Sequence, residues 1–205
     1  MEASFIHRFV GYTIDILIIT VISSLIMMIL PPNKNIVKLN EELNKITEEI
    51  VKNPKLDEKI LNRVSDINYD LTKETYLMTI IDIVVALVYF VIIPVKNNGQ
   101  TVGKRLLHIK TVNIKNEPLT YNNLLLRYLI INAIAANIIL LIIYSICSKN
   151  IYISLSNSIN IVQSLLMIVT ITLVMFRKDK RGLHDFLGNT KVVYDMKKEL
   201  VECKN

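Results

Sequence analysis

The chain has 205 residues, 52% of them hydrophobic and 20% charged, with a mean hydropathy of +0.41 and a formal net charge of +6. That mixture fits a polytopic membrane protein with polar loops better than a soluble core. Long apolar windows leave no room for a separate soluble domain, and two cysteines with three scattered histidines give neither a disulfide framework nor metal-ligand spacing.

Residues 1–8 form a short head in which Ser4 suits a helix N-cap. The window 9–30 follows, apolar apart from Asp15 and a few hydroxyls. At 1.5 Å per residue it spans about 33 Å, enough to cross a bilayer. It is not read as a cleaved signal: the run is long, contains an acid, and leads into Pro31-Pro32 rather than a small-residue cleavage site. A carboxylate at that depth costs about 2.5–3.5 kcal/mol on insertion scales. Asp15 therefore requires a cationic side chain, water in a cavity, or a bound cation. Arg8 shares its helical face about 10 Å away along the axis, too far for a direct ion pair without a mediator.

Residues 33–75 predict an antiparallel helical hairpin on the outer face. Ile36, Leu39, Leu43, Ile46 and Ile50 recur at 3–4 spacing, as do Leu56, Ile60, Val64, Ile67 and Leu71. Asn53 and Pro54 supply the N-cap and first position of the second helix. The hairpin is read as a solvated insert packed on itself, with docking of a protein partner as the alternative. Span two covers about 76–95, with Asp82 toward its outer end and Pro94 at its inner end. Asp82 is either an outer relay for Asp15 or a helix-end acid.

Asn97-Asn98-Gly99 marks a turn. Val102, Leu106 and Ile109 then share one face of a short interfacial helix, with Gly103 inside it and Lys104 and Arg105 expected toward headgroups. Residues 109–114 alternate like a strand, as do 190–194, and the two are expected to pair. Span three, about 124–144, carries Arg127 near its inner end, the best intramembrane counter-charge available, and Asn132 and Asn137 for interhelical hydrogen bonds. Span four covers about 159–176, with Gln163 on the outer side.

Lys and Arg concentrate in 96–120 and after 176, which places those segments and both termini in the cytoplasm, in a plasma membrane. Anionic lipid headgroups at the cytoplasmic face are the expected partner, and nucleic acid is not. Cys147 near the outer end of span three and Cys203 in the inner tail cannot pair within one chain. The fold class is an all-α integral membrane protein: a four-helix transmembrane bundle with the 33–75 hairpin between spans one and two and a short two-stranded β element on the cytoplasmic face.

Three blocks resemble the RDD family of small multi-span membrane proteins, named for one Arg and two Asp. They are Arg8…Gly11-Tyr12-Thr13-Ile14-Asp15; Gly99-Gln100-Thr101-Val102-Gly103-Lys104-Arg105 running to Val112 and followed by Leu126-Arg127; and Arg181-Gly182-Leu183-His184-Asp185 running to Val193. Asn189 stands where a smaller residue is expected. The resemblance implies that Asp185 is the second aspartate and that Arg8, Asp15, Arg127 and Asp185 form a charged cluster near the inner surface. It also implies transport, with cation/proton antiport proposed for some members.

Two functions follow as expectations. The first is a small transporter or cation/proton exchanger using Asp15, with Asp82 as outer relay and a homo-oligomer as the working unit. The second is a non-transporting scaffold or accessory subunit that recruits partners through the hairpin. No cofactor or metal is expected, and no nucleophile with its base occurs at enzyme-like spacing.

Overall fold

In the computed structural model the described residues are 1–52, 57–115 and 117–195. Asn53 and Pro54, expected to start the second hairpin helix, and Cys203 lie outside them. Helices α1 (Phe5–Met27), α2 (Lys34–Lys52), α3 (Glu58–Glu74) and α4 (Tyr76–Leu87) come first. A π-helical turn (Val88–Ile92) joins α4 to α5 (Ile93–Lys96), making one rod over Tyr76–Lys96. The wide turn lies just before Pro94, whose ring cannot donate a backbone N–H to the preceding turn. Then come α6 (Val102–Leu106), β1 (Ile109–Asn113), α7 (Tyr121–Ile131), α8 (Ile134–Ile146), α9 (Lys149–Phe176), α10 (Leu183–Leu187) and β2 (Thr190–Tyr194).

Among the described residues three helices are long and apolar enough to cross a membrane: Phe5–Met27, Tyr76–Lys96 and Lys149–Phe176. A fourth crossing exists if α7 and α8 count together. Their apolar side chains are largely exposed, Leu17, Leu25, Val84 and Leu165 among them, as lipid-facing surfaces are. A core of Tyr89, Phe90, Leu124, Tyr128 and Ile134 fills the middle of the bundle.

Two sequence expectations need correction. Span three is not straight: α7 and α8 meet at 72°, with Ala133 in the left-handed region at φ 51°. The freed carbonyls find side-chain donors. Gln163 Nε2 donates to the Ile130 carbonyl at 2.8 Å, and the Tyr12 hydroxyl lies 3.3 Å from the Ile131 carbonyl and 2.9 Å from Asn132 Oδ1. Non-helical backbone within an apolar bundle is tolerated where such partners exist. Span four, expected from 159, belongs to a helix that begins at Lys149. Ser156, Ser158 and Ser164 return their hydroxyls to Ile153, Ser154 and Asn160 carbonyls, so the polar stretch stays helical.

The hairpin closes one end. Ile46 of α2 and Ile67 of α3 are buried, Asp66 pairs with Lys149 at 2.8 Å, and the rings of Tyr69, Tyr144 and Tyr152 meet. At the start of α2, Asn33 and Asn35 donate to Glu74 and hold its carboxyl below its ordinary value. The opposite end is a cap. Strands β1 and β2 pair antiparallel from Ile109↔Tyr194 to Asn113↔Thr190. The N-terminal residues join them, with the Ala3 N–H donating to Val192 and Glu2 bridging Val193.

Candidate functional site

The four charged residues expected in one cluster divide into two centres. Asp15, on the buried face of α1, is 1% exposed and accepts three hydrogen bonds: from the Tyr89 hydroxyl at 2.7 Å, the Gly103 N–H at 2.8 Å and the Thr101 hydroxyl at 2.5 Å. None of the ion pairs among the described residues involves Asp15. In place of the arginine expected to compensate it, three neutral donors converge on its carboxyl oxygens. Gly103 makes the convergence feasible. A Cβ there would lie 2.1 Å from the Gly11 carbonyl oxygen, so only glycine lets α6 sit this close to α1.

Both arginines go instead to Asp185, which is fully buried at the start of α10. Arg127 pairs directly with its Oδ1. Arg8 Nη1 lies 3.5 Å from Oδ2, and the Gly182 N–H donates to Oδ2 at 3.1 Å. Thr190 donates to Oδ1 at 3.3 Å and accepts from Arg127 at 3.0 Å. Arg8 also donates to the carbonyls of Ala3, Val192 and Lys180. Burial pushes the Asp185 carboxyl up, but Arg127, His184 and Arg8 outweigh it and hold it below the usual range. Burial pushes the neighbouring His184 imidazole down to about 3, and Arg127 acts the same way. The centre thus ties α1, α7, α10 and β2 into one clasp.

The interfacial motif is corrected in part. Val102, Leu106 and Arg105 are exposed, as an interfacial helix requires, but Ile109, expected on the same face, lies beyond the helix in β1 and is buried. Lys104 instead turns inward, 8% exposed, and donates to the Tyr128 hydroxyl at 2.6 Å and the Thr111 hydroxyl at 3.0 Å. The two hydroxyls draw the ammonium inward: Thr111 belongs to β1 and Tyr128 to α7, and both are buried.

A cavity of about 1090 Å³ opens between α1, α4, the α7–α8 break and α9. Asp82 lines it with Asn132, Asn137, Gln163, Thr20 and Ser23. Asp82 is exposed and makes no hydrogen bond or ion pair among the described residues. Two polar atoms at the cavity, Ser23 Oγ and Asn132 Nδ2, are buried without partners. Asp15 does not line this cavity.

Charge counting along the sequence missed Tyr12, Tyr89, Thr101 and Tyr128, because neutral hydroxyls in apolar runs carry no charge signal. The Thr101–Gly103 stretch was within reach, since it falls in a motif block that also places a glycine beside an N-cap threonine. The family comparison matches residues 2–189 to the RDD family. No curated protein and no solved structure matches the chain.

Proposed function

The chain belongs to the RDD family, and from that premise we propose that it is an integral membrane transporter that exchanges a cation for protons. The observation that carries this reading is the cavity of about 1090 Å³ at the broken helix, with an unpaired carboxylate among its lining residues. A discontinuous helix beside a cavity with a few polar side chains in an apolar wall is an arrangement in which carriers hold ions. The C-terminal end of α7, the negative end of its dipole, faces the break. Asp82 is the exchanging group: its carboxylate binds either a proton or a cation. Asn132, Asn137, Gln163 and the Thr20 and Ser23 hydroxyls supply neutral oxygens for a partly dehydrated ion. Asp15 and the Asp185 clasp hold the cap end shut below the cavity, so Asp15 serves as a positioning residue rather than as the exchanging one.

Lys96, Arg105, Lys110, Lys115, Arg177 and Lys178 surround the cap end, which by the positive-inside rule is cytoplasmic. The cavity then opens toward the outer half of a plasma membrane. Four crossings are few for a carrier, so a second copy completes the working unit. The test is flux in proteoliposomes loaded with a pH dye and given a Na⁺ or K⁺ pulse. Wild type is expected to move protons, and Asp82→Asn to fall to the level of empty vesicles. No wild-type flux, or undiminished flux in the variant, overturns the reading.

A further inference from the structure

A second cavity, about 140 Å³, lies on the cap side between α1 and α9. Its size matches an engineered cavity that takes up one benzene. Its walls are apolar, from Phe5, Phe9, Ile131, Ile171 and Val174, yet three cationic side chains line it: Arg8, Lys104 and Arg127. Among the described residues Asp185 is the one carboxylate paired with any of them, through Arg127 and Arg8. Among the described residues Lys104 has no acid partner, only the two hydroxyls and the face of the Tyr128 ring, 5.4 Å from its ammonium. A dry pocket with more cations than anions is costly unless an anion joins it.

Two buried polar atoms of the lining point the same way. Arg127 Nε, a donor only, has no partner, and neither has Thr170 Oγ1. Thr170 is 3% exposed. Thr13, Thr20 and Thr172, its counterparts on the same two helices, bond the carbonyl four residues back; Thr170 does not. The cavity is bounded toward the outside by Phe9 (57% exposed) and Ile171 (42% exposed), which places its mouth at the lipid-facing seam of α1 and α9.

We propose that this cavity binds a single-chain anionic amphiphile, a fatty-acid-type carboxylate whose head is held by Lys104, Arg127 and Thr170 and whose chain leaves between Phe9 and Ile171. A carboxylate offers about four acceptor sites, enough for the ammonium, the free guanidinium N–H and the threonine hydroxyl together. The volume admits one chain segment beside the head. The site adjoins the Asp82 cavity, with Tyr12, Ile131 and Met167 in both linings, but its three cations line this cavity alone, and the binding proposed does not depend on transport.

The test is thermal unfolding of the full chain in phosphatidylcholine nanodiscs, with sodium laurate, dodecanol or inorganic phosphate as probes. Laurate at about 100 times its Kd is expected to raise Tm by about 5–10 °C. Dodecanol and phosphate alone are expected to leave it within about 1 °C, because the cavity needs charge and chain together. Lys104→Gln, which removes the charge, and Thr170→Phe, which fills the cavity with the cations kept, are each expected to lower laurate affinity at least about tenfold. A fluorescent fatty-acid analogue displaced by laurate gives a second readout should either variant lose stability. A dodecanol shift equal to that of laurate, laurate binding unchanged in both variants, or no laurate shift in wild type overturns the proposal.

Discussion

At Asp185 the two arginines stand differently. Arg127 is buried against Oδ1, whereas Arg8 reaches Oδ2 at 3.5 Å and shares itself among three carbonyls. Arg127→Met leaves the buried carboxylate with the long Arg8 contact and neutral donors in place of its direct ion pair, and is expected to cost about 3–5 kcal/mol. The double variant Arg127→Met, Asp185→Leu removes both charges and is expected to lose less than Arg127→Met alone. Chemical or thermal unfolding in detergent measures both, and a double variant weaker than the single one would contradict the view that the cost lies in the carboxylate left without its direct ion pair. His184 adds a pH signature. Its folded pKa, about 3, lies below the unfolded value, so its contribution is complete above about pH 6.5 and declines as pH falls toward 3. In that window wild type is expected to lose up to about 1.4 kcal/mol per pH unit through this group, and His184→Gln to show a shallower slope. Asp185 acts later: its depressed pKa means that its share is lost only below the ordinary carboxylate range. The Asp15 cradle teaches the same lesson about legibility. The residue was found from its charge, but its partners are a tyrosine, a threonine and a glycine N–H, which a search for opposite charge passes over.

Among the elements, the hairpin helices, the strand pair and the first two spans follow from hydrophobic period and length. The bent third span does not. It lacks the glycine or proline that marks most breaks, and its signal is distributed over Tyr12 and Gln163 on other helices. Ala133 holds a left-handed conformation that costs an L-residue about 1–2 kcal/mol. Ala133→Gly removes that strain while keeping the bend, so it is expected to stabilise the protein by about 1 kcal/mol. An unfolding midpoint equal to or below that of wild type would mean that the bend is not held by the hydrogen bonds seen here. Span four was cut short in the sequence because Asn160, Gln163 and Ser164 lower its hydropathy. In the structure Gln163 and Ser164 bond to backbone carbonyls and line the larger cavity, and Asn160 is exposed on the helix surface.

On the scale of the whole molecule, a braced end and a clasped end enclose a cavity that opens between them. The hairpin touches the bundle through Asp66–Lys149 and the tyrosine cluster rather than through the cavity lining. Replacing 33–75 by a short linker is therefore expected to lower thermal stability while leaving proton flux within about threefold of wild type, a margin of roughly 0.7 kcal/mol in the transport barrier. Loss of flux together with loss of a co-purifying protein would instead favour the scaffold role. The cap has a different consequence. Glu2 and Ala3 pair with Val193 and Val192, and Arg8 bonds Asp185 and Val192, so segments some 180–190 residues apart close one edge. An affinity tag fused directly to Met1 would intrude on that edge pairing, so biogenesis should tolerate a tag placed in the hairpin loop better than one at the start.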